Sequence, residues 1–407
     1  MDISKLASAA EKKASAQFKR IDAIAAKNTA RVLEAFSHAR VSDGFFAGTT
    51  GYGYDDAGRA ALEKIYARVF GAEKALVRLN FVNGSHAIAC AMTSCLRLGD
   101  TLLSVTGAPY DTLQTLIGLH GEVGGTFSEY GIKYAQVDMK DGAPDLDGIR
   151  RAAKSASAVF IQRSRGYAIR KTLSCADIKE IEDAVRSVNA SAPIIVDNCY
   201  GEFCEETEPL AFGADLICGS LIKNPGGGLA PGGGYVAGRA DLCDRAANRL
   251  TLPGIGGECG ATFGQNRLLF QGFFMAPHTV AQALKTAVFA AAALDELGYE
   301  VSPRYDEPRY DIIQTVSFKK PEPLLAFCRG IQEGAPVDSF VTPEPWEMPG
   351  YDCPVVMAAG AFIQGSSIEL SCDAPMREPF TAYLQGGLTY ESGKLGVLKG
   401  LLRLSEL

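Results

Sequence analysis

The 407-residue chain lacks the features that mark several common classes of protein. Its formal net charge is −7 and it has no run of lysines and arginines, which argues against nucleic-acid binding. No apolar segment reaches the length of about 20 residues that a membrane-spanning helix requires. The first residues also lack the apolar core and cleavage site of a secretory signal, so we expect a cytoplasmic protein.

The sequence is also poor in metal-binding patterns. It has four histidines and no HExxH motif, which gives a zinc site little support. Its eleven cysteines are odd in number, scattered and without CxxC spacing. We therefore expect reduced core thiols in a reducing cytoplasm, and no bound metal.

The chain does contain an alternation of strand-like and helix-like segments. With 47% hydrophobic and 21% charged residues, it is long enough for two domains with a large buried core. Seven short apolar runs with helical stretches between them predict an α/β fold, in which helices cover both faces of a mostly parallel sheet. These runs are residues 75–79, 101–105, 132–137, 158–162, 194–197, 215–218 and 234–237.

Composition divides the chain into three segments. Residues 62–275 are predicted to form the large sheet domain, and residues 276–407 a smaller α+β domain. Residues 1–61 are too few for a domain, so we expect a helical arm that packs on the small domain or on a partner subunit. The alanine-rich stretch 278–297 favours one long helix that connects the two domains.

The smaller domain carries weaker signals. Its runs 312–318, 355–359 and 367–371 predict strands of an antiparallel sheet, and residues 380–385 are predicted to belong to a flanking helix.

One lysine stands between an apolar strand and a glycine-rich turn. Desolvation lowers the pKa of such a lysine, here Lys223, toward the neutral amine that attacks an aldehyde. Asp197 ends an earlier strand, and a carboxylate there could keep a pyridine nitrogen protonated. If the two strands are near neighbours, their ends lie one or two spacings of about 4.8 Å apart, which suits a pyridine ring. The pair predicts a Schiff-base lysine for pyridoxal 5′-phosphate, with a surface loop lysine as the alternative.

Residues that could hold a phosphate precede the predicted first crossover helix. Asn83, Gly84 and Ser85 stand where the backbone must turn and a helix must begin, and a helix N-terminus offers free N–H groups to an anion. Simple capping of the helix is an equally good interpretation. Ser220 could add a hydroxyl to the same phosphate. The later glycine run contains no GxxxxGK[ST] motif, so a nucleotide loop is the weaker hypothesis.

Aromatic and cationic side chains follow other strands. Tyr110 could stack on a flat cofactor or belong to the core. Arg163 could bind the phenolic oxygen of the cofactor ring, and Arg165 a substrate carboxylate. Arg377, in the smaller domain, is a candidate carboxylate clamp. A surface ion pair is the alternative for each arginine.

Taken together, these segments resemble the cysteine and methionine metabolism group of fold-type-I pyridoxal-phosphate enzymes. More narrowly, the chain resembles the aluminium-resistance or methionine γ-lyase-like family, which is related to cystathionine β-lyase. The resemblance covers most of the chain and rests on residues 51–59, 83–87, 104–111, 162–167, 196–203, 220–227 and 385–390.

The resemblance implies roles for single residues. It implies Lys223 as the Schiff-base lysine, Asp197 as the partner of the pyridine nitrogen and Tyr110 as the stacking ring. The residues that it implies around the phosphate are Gly84, Ser85 and Ser220.

The resemblance also implies a homotetramer built from two dimers. In such an assembly the segment that contains Tyr52, Tyr54 and Arg59 reaches the phosphate bound by a neighbouring subunit. The implied arm at residues 1–61 contributes to this interface.

The predicted reaction breaks the carbon–sulfur bond of a sulfur-containing amino acid by β- or γ-elimination. Lys223 would act as the general base, and Tyr54 or Tyr110 could assist the second proton removal that γ-elimination needs. Other reactions of the same cofactor stay open, namely γ-replacement, transamination and aldol cleavage. A binding or regulatory protein without turnover is the alternative outside catalysis.

Overall fold

The computed structural model describes residues 2–121, 123–348 and 353–407, which fall into two compact units. The large unit comprises Ala30–Leu221 and Ala230–Phe273. The small unit comprises Met1–Thr29, Ile222–Leu229 and Phe274–Leu407. The functional domains predicted at residues 1–61, 62–275 and 276–407 stay a prediction.

Helices make up much of both units. Within the described ranges, none of them combines the length and the apolar character that crossing a lipid bilayer demands. The α-helices are α1 Ile3–His38, α2 Ala57–Phe70, α3 Gly84–Cys95, α4 Asp111–Ile117, α5 Leu146–Ala153, α6 Cys175–Arg186, α7 Ala240–Leu250, α8 Asn266–Glu296, α9 Pro321–Glu333 and α10 Tyr390–Ser405.

The strands form one sheet in each unit. Those of the large unit are β1 Lys74–Arg78, β2 Thr101–Ser104, β3 Lys133–Gln136, β4 Ala158–Gln162, β5 Ile194–Asp197, β6 Leu216–Ser220 and β7 Gly234–Gly238. Those of the small unit are β8 Glu300–Ser302, β9 Gln314–Ser317, β10 Val355–Ala359, β11 Ser371–Pro375 and β12 Thr381–Gln385.

The large-unit sheet has the strand order β1-β7-β6-β5-β4-β2-β3. Only β7 runs antiparallel to its neighbours among the described strands of this sheet, and the remaining pairs are parallel. The predicted α/β fold with a mostly parallel sheet of seven strands is therefore confirmed. Strands β4 to β7 are buried along their whole length, which explains why they are continuous apolar runs without alternation.

The direction of these strands determines where a ligand can bind. Because β2, β4, β5 and β6 run in the same direction, their last residues lie at one edge of the sheet. Loops and helix N-termini converge at this edge, as expected for an open α/β sheet. The four last residues are Ser104, Gln162, Asp197 and Ser220.

The small unit has an antiparallel sheet with the order β10-β11-β12-β9-β8. Its core includes Phe289 of α8, Phe327 of α9 and Leu401 of α10, all without exposed surface. Helices α9 and α10 approach very closely, since a Cβ on Gly330 would lie 2.5 Å from the Cα of Gly400. The predicted smaller α+β arrangement is therefore present.

One predicted helix of the small unit is wrong. Residues 381–385 of this segment form strand β12, which pairs with β11 on one side and with β9 on the other. A segment of six residues is too short to show a helical period, and the hairpin turn before it places the backbone in register with β11. In that turn the N–H of Phe380 donates to the carbonyl of Arg377.

Two predicted boundaries also differ from the structure. The strand predicted at 367–371 begins only at Ser371, because the preceding residues form a loop around the Glu369 carboxylate. Helix α8 begins at Asn266, before the predicted 278–297 stretch, and continues through Pro277. Phe273 before this proline and Val280 after it are both fully buried, so packing on each side outweighs the missing backbone hydrogen bond.

Candidate functional site

The turn between β1 and α3 has the geometry of an anion seat. The Asn83 side chain caps α3 by accepting a hydrogen bond from the His86 N–H at 2.9 Å. Capping at His86 leaves the N–H groups of Gly84 and Ser85 outside the helical bonding pattern. A Cβ on Gly84 would lie 2.8 Å from the Cβ of Ser220, so only glycine allows this backbone to pack against the end of β6. The structure thus brings Gly84 and Ser220 together.

A second loop lies beside this seat. The hydroxyl of Ser85 lies 3.2 Å from the hydroxyl of Thr112, in the first turn of α4. Tyr110 is the residue before α4, and it is half-buried. The ring of Tyr110 meets Tyr167 edge-on, with 6.3 Å between the ring centroids. The predicted stacking ring is therefore close in space to the predicted phosphate residues.

Asp197 presents a buried carboxylate at the same edge. It is the last residue of β5 and is 6% exposed. One carboxylate oxygen accepts a hydrogen bond from the Cys199 N–H at 3.1 Å, which fixes the side chain at the end of the strand. In the sheet register Asp197 lies opposite Gln162 of β4 and Cys218 of β6.

Arg163 is bonded within the large unit, and its predicted contact with the phenolic oxygen of the cofactor stays a prediction. Its side chain has no exposed surface. All five guanidinium N–H donors are directed at acceptors within the large unit. These acceptors are the Leu173 carbonyl, the Asn198 side chain, the Gly201 carbonyl, the Cys175 sulfur and the Glu205 carboxylate. Arg163 thus ties the loops after β4 and β5 together.

The sequence could not reveal this role, because it depends on a loop distant in sequence. Glu205 lies 2.5 Å from the Arg163 guanidinium, and Glu208 lies 3.7 Å from it. Both acids follow β5, so they meet Arg163 only when β4 and β5 pair. Arg165 is nearly buried at 3% exposure in the turn after β4, and its predicted substrate contact stays a prediction.

The segment with Tyr52, Tyr54 and Arg59 contains two exposed rings and a buried cation. The rings of Tyr52 and Tyr54 are stacked, with 5.5 Å between their centroids, and are 70% and 51% exposed. Arg59 is 6% exposed and donates to the carbonyls of Gly53, Glu258 and Gly260. A phosphate contact would require Arg59 to leave these carbonyls, whereas the tyrosines are already exposed. The predicted roles of the three residues stay predictions.

Lys223 lies in the small unit, as the third residue after the end of β6. It is half-buried, and its amine donates a hydrogen bond of 2.8 Å to the hydroxyl of Ser367. The loop that carries Ser367 is well held, since the Glu369 carboxylate accepts the N–H groups of Phe362 and Ile363. Ser367 is a candidate functional residue that the sequence reasoning missed. A glycine and two serines in the loop before β11, at residues 365–367, were its only local signal.

Arg377 lies at the opposite end of β11 from Ser367. Ser367 lies near Gly386, the residue directly after Gln385. Gln385 pairs with Ser371, the first residue of β11, so Ser367 is at the start of that strand. Arg377 is exposed in the turn that follows the strand. Five strand residues span about 14 Å. The predicted role of Arg377 as a carboxylate clamp stays a prediction.

The cysteines and the acidic residues do not form a metal centre in the described part of the chain. All eleven cysteines carry free thiols. Within residues 2–121, 123–348 and 353–407, no group of three His, Cys, Asp or Glu side chains could hold a metal ion. Cys218, in the middle of the large-unit sheet, is fully buried, and its burial raises the pKa of the thiol well above the usual value.

The chain is similar to several known proteins. The profile of the family described as methionine gamma-lyase matches residues 3–405. The uncharacterized protein YnbB of Bacillus subtilis (strain 168) is 48% identical over 391 residues, which are 95% of this chain and 93% of that protein.

Solved structures extend the comparison. The crystal structure of a carbon-sulfur lyase involved in aluminum resistance from Clostridium novyi NT is 50% identical and has a TM-score of 0.95, covering 98% of this chain and 95% of that chain. The pyridoxal-5′-phosphate-dependent protein YhfS from Escherichia coli is 17% identical, with a TM-score of 0.63 over 94% of this chain and 96% of that chain. This second likeness shows a shared fold alone. The predicted family resemblance is confirmed.

Proposed function

Because this chain belongs to the methionine gamma-lyase family, we propose that it is a pyridoxal 5′-phosphate-dependent carbon–sulfur lyase that acts on a sulfur-containing amino acid by β- or γ-elimination. The observation that supports this most directly is the convergence of chemistry at one edge of the large-unit sheet. There Gly84 packs directly on Ser220, and the buried Asp197 carboxylate ends the neighbouring strand. One relative with a solved structure, from Clostridium novyi NT, is itself named a carbon-sulfur lyase.

The residues at this edge fit the cofactor. The first-turn N–H groups of α3 and the hydroxyls of Ser85 and Ser220 would hold the phosphate. Asp197 would pair with the ring nitrogen, Tyr110 would face the ring, and Lys223 would bind the aldehyde carbon. The absence of a Cβ at Gly84 supports this fit, since a larger residue would fill the seat. When bound, the cofactor would supply an electron sink for the negative charge formed at the substrate α-carbon.

The side chains of this chain would handle the protons. The neutral amine of Lys223 would remove the proton from the α-carbon and then protonate the departing sulfur. Ser367, whose hydroxyl already accepts a hydrogen bond from this amine, would hold it in place between the two transfers. Departure of the thiol leaves an unsaturated amine, which water hydrolyses to a 2-oxo acid and ammonia. For γ-elimination, Tyr54 or Tyr110 would help to remove the second proton.

The assembly and the compartment belong to the same proposal. A homotetramer of two dimers would place the exposed Tyr52 and Tyr54 against a neighbouring subunit. Large exposed aromatic rings on one loop favour such an interface. A reducing cytoplasm suits eleven free thiols.

The test is incubation of the purified protein, loaded with pyridoxal 5′-phosphate, with L-methionine, L-cystathionine and L-cysteine in turn. We expect a 2-oxo acid, ammonia and a thiol or hydrogen sulfide without any added acceptor. Lys223→Ala is expected to abolish both the product and the lysine-bound visible absorbance band. Transamination alone would overturn the lyase assignment. A Lys223-dependent band without product from any amino acid would instead support a binding protein.

A further inference from the structure

Gln162 is the last residue of β4 and makes hydrogen bonds in three directions, although it is only 7% exposed. Its side-chain carbonyl accepts the Tyr110 N–H at 2.7 Å. Its side-chain amide donates to the Ser164 carbonyl at 3.2 Å. Its own N–H donates to the Thr106 hydroxyl at 3.1 Å. Gln162 therefore links strand β4 to the two loops on either side of it.

The same residue is next to Asp197 in the sheet. Gln162 and Asp197 are register partners in the parallel β4 and β5 pair, so their backbones are one interstrand spacing of about 4.8 Å apart. Asp197 itself is held by the Cys199 N–H. Gln162 is thus linked through its strand to Asp197, the proposed partner of the cofactor nitrogen. Through its side chain it is linked to the backbone of Tyr110, the proposed stacking ring.

The turn after β4 closes over this arrangement. Gly166 has φ +55° and lies against both groups, since a Cβ there would be 3.3 Å from the Gln162 amide nitrogen and 3.8 Å from the Tyr110 ring. Arg170 holds the turn by donating to the carbonyls of Gln162 and Ser164. Gly166 therefore packs closely against both the Gln162 side chain and the Tyr110 ring.

We propose that Gln162 is a positioning residue that sets the height of the Tyr110 ring relative to Asp197, and so determines how the ring stacks on the cofactor. The inference rests on the proposed function and deepens it. A flat ring held between a side chain at the end of β5 and an aromatic face needs the two groups at a fixed separation. The Gln162 amide supplies this separation, because it is bonded to the Tyr110 backbone and covalently part of the strand paired with Asp197.

The central variant is Gln162→Leu, which keeps the volume and removes both side-chain hydrogen bonds. We expect the affinity for pyridoxal 5′-phosphate to change by less than about threefold, because the phosphate seat, Asp197 and Lys223 remain. We expect kcat to fall by about tenfold with KM within about twofold, the size that the loss of a buried hydrogen bond predicts. The visible circular dichroism of the bound cofactor should fall by about half, because its asymmetry depends on the stacked ring.

Gln162→Glu separates the two side-chain bonds. Its carboxylate still accepts the Tyr110 N–H but cannot donate to the Ser164 carbonyl. We expect the circular dichroism of the cofactor to return to at least four-fifths of the wild-type value. Gln162→Asn keeps both groups on a shorter side chain, and it decides the question if the leucine variant does not fold. Its dichroism is expected to lie between those of wild type and of the leucine variant.

Gln136→Leu is the matched control. Gln136 is the last residue of the edge strand β3, as Gln162 is of β4. Its side chain accepts a hydrogen bond from the Tyr134 hydroxyl and donates one to Asp138, neither of which is a proposed site residue. This variant should leave kcat and the dichroism unchanged.

Two failures can be told apart. If wild type shows no Lys223-dependent absorbance with pyridoxal 5′-phosphate, the proposed function is wrong. If wild type is an active lyase but Gln162→Leu has unchanged kcat and dichroism, the function stands and the positioning role is wrong. An equal loss of dichroism in Gln162→Glu and Gln162→Leu would also overturn it, because the bond to Tyr110 would then not matter.

Discussion

Asp197 and Lys223, the two residues proposed for the ends of the cofactor ring, are held in different ways. Asp197 ends a fully buried strand, and its carboxylate is bonded to a backbone N–H two residues later. Lys223 is half-buried between strand and turn, and its amine is bonded to the hydroxyl of Ser367 on a loop. A strand end suits a charge that must stay in place throughout the reaction. A long side chain hydrogen-bonded to a hydroxyl suits an amine that must move between carbon and sulfur.

Asp197, the residue fixed at a strand end, is expected to have the largest effect on activity. In Asp197→Asn the ring nitrogen loses its anionic partner, so we expect kcat/KM to fall by at least about a hundredfold, as for other losses of a preorganised electrostatic contact. Steady-state assay of 2-oxo acid formation measures this. Asp138→Asn, just beyond the edge strand β3 of the same sheet, is the control and should retain activity. A kcat/KM of Asp197→Asn within tenfold of the wild-type value would show that the Asp197 carboxylate is not needed for the reaction.

Arg163, which bonds to the loop after Asp197, is expected to have the largest effect on stability. Arg163 bonds to Asn198 and to the Gly201 carbonyl directly after Asp197, and it balances Glu205 and Glu208. Arg163→Met removes the cation beside the buried Glu208 and the partly buried Glu205, so we expect the free energy of unfolding to fall by about 3–5 kcal/mol.

Chemical denaturation of the purified protein measures that loss. Arg150→Ala removes an exposed ion pair with Asp147 and is expected to cost less than about 1 kcal/mol. A similar small loss for both arginine variants would mean that Arg163 does not act as the support of this edge.

Ser367, the hydrogen-bond acceptor of the Lys223 amine, is expected to have a smaller effect on activity. Ser367→Ala removes the hydroxyl that accepts the hydrogen bond from the Lys223 amine, so we expect kcat to fall by about three- to tenfold. Ser371→Ala, also in the small unit, is the control, because its buried hydroxyl makes no hydrogen bond to a described residue. If the kcat of Ser367→Ala equals that of wild type at every pH tested, the proton transfers by the Lys223 amine do not depend on this hydroxyl.

The same contrast explains how much of the site the sequence could predict. Asp197 and Ser220 end parallel strands of one sheet, and Tyr110 follows another. Parallel strands place their last residues at one edge of the sheet, whatever loops come next. Their meeting could therefore be predicted without knowing any loop. Ser367 and the Arg163 network depend on loops that meet only after β4, β5 and β11 have paired, and no local pattern encodes that. The antiparallel small-unit sheet was predicted less well for a related reason, since β12 is recognisable only through its pairing with β11 and β9.

A second buried acid lies behind the proposed site. Glu202 is fully buried, and its carboxyl accepts a hydrogen bond of 2.7 Å from the Tyr235 hydroxyl. Burial raises the pKa of Glu202 well above its usual value, and the nearby Asp197 charge raises it further. The folded protein thus binds a proton at Glu202 that the unfolded chain releases near pH 4.5. Stability contributed by this proton is present at low pH and is lost as the pH rises from about 4.5 toward the folded pKa.

Glu202→Gln tests this linkage with the smallest expected effect. The amide mimics the protonated acid and still accepts from Tyr235, so the variant should gain stability relative to wild type at pH 8 and show little difference at pH 5. Thermal unfolding at both pH values measures the change, with Glu206→Gln at an exposed position as control. A variant that is equally destabilised at both pH values would show that Glu202 is charged in the folded state. Two carboxylates would then lie behind the same strand end, and the fixed charge at Asp197 could no longer be treated as acting alone.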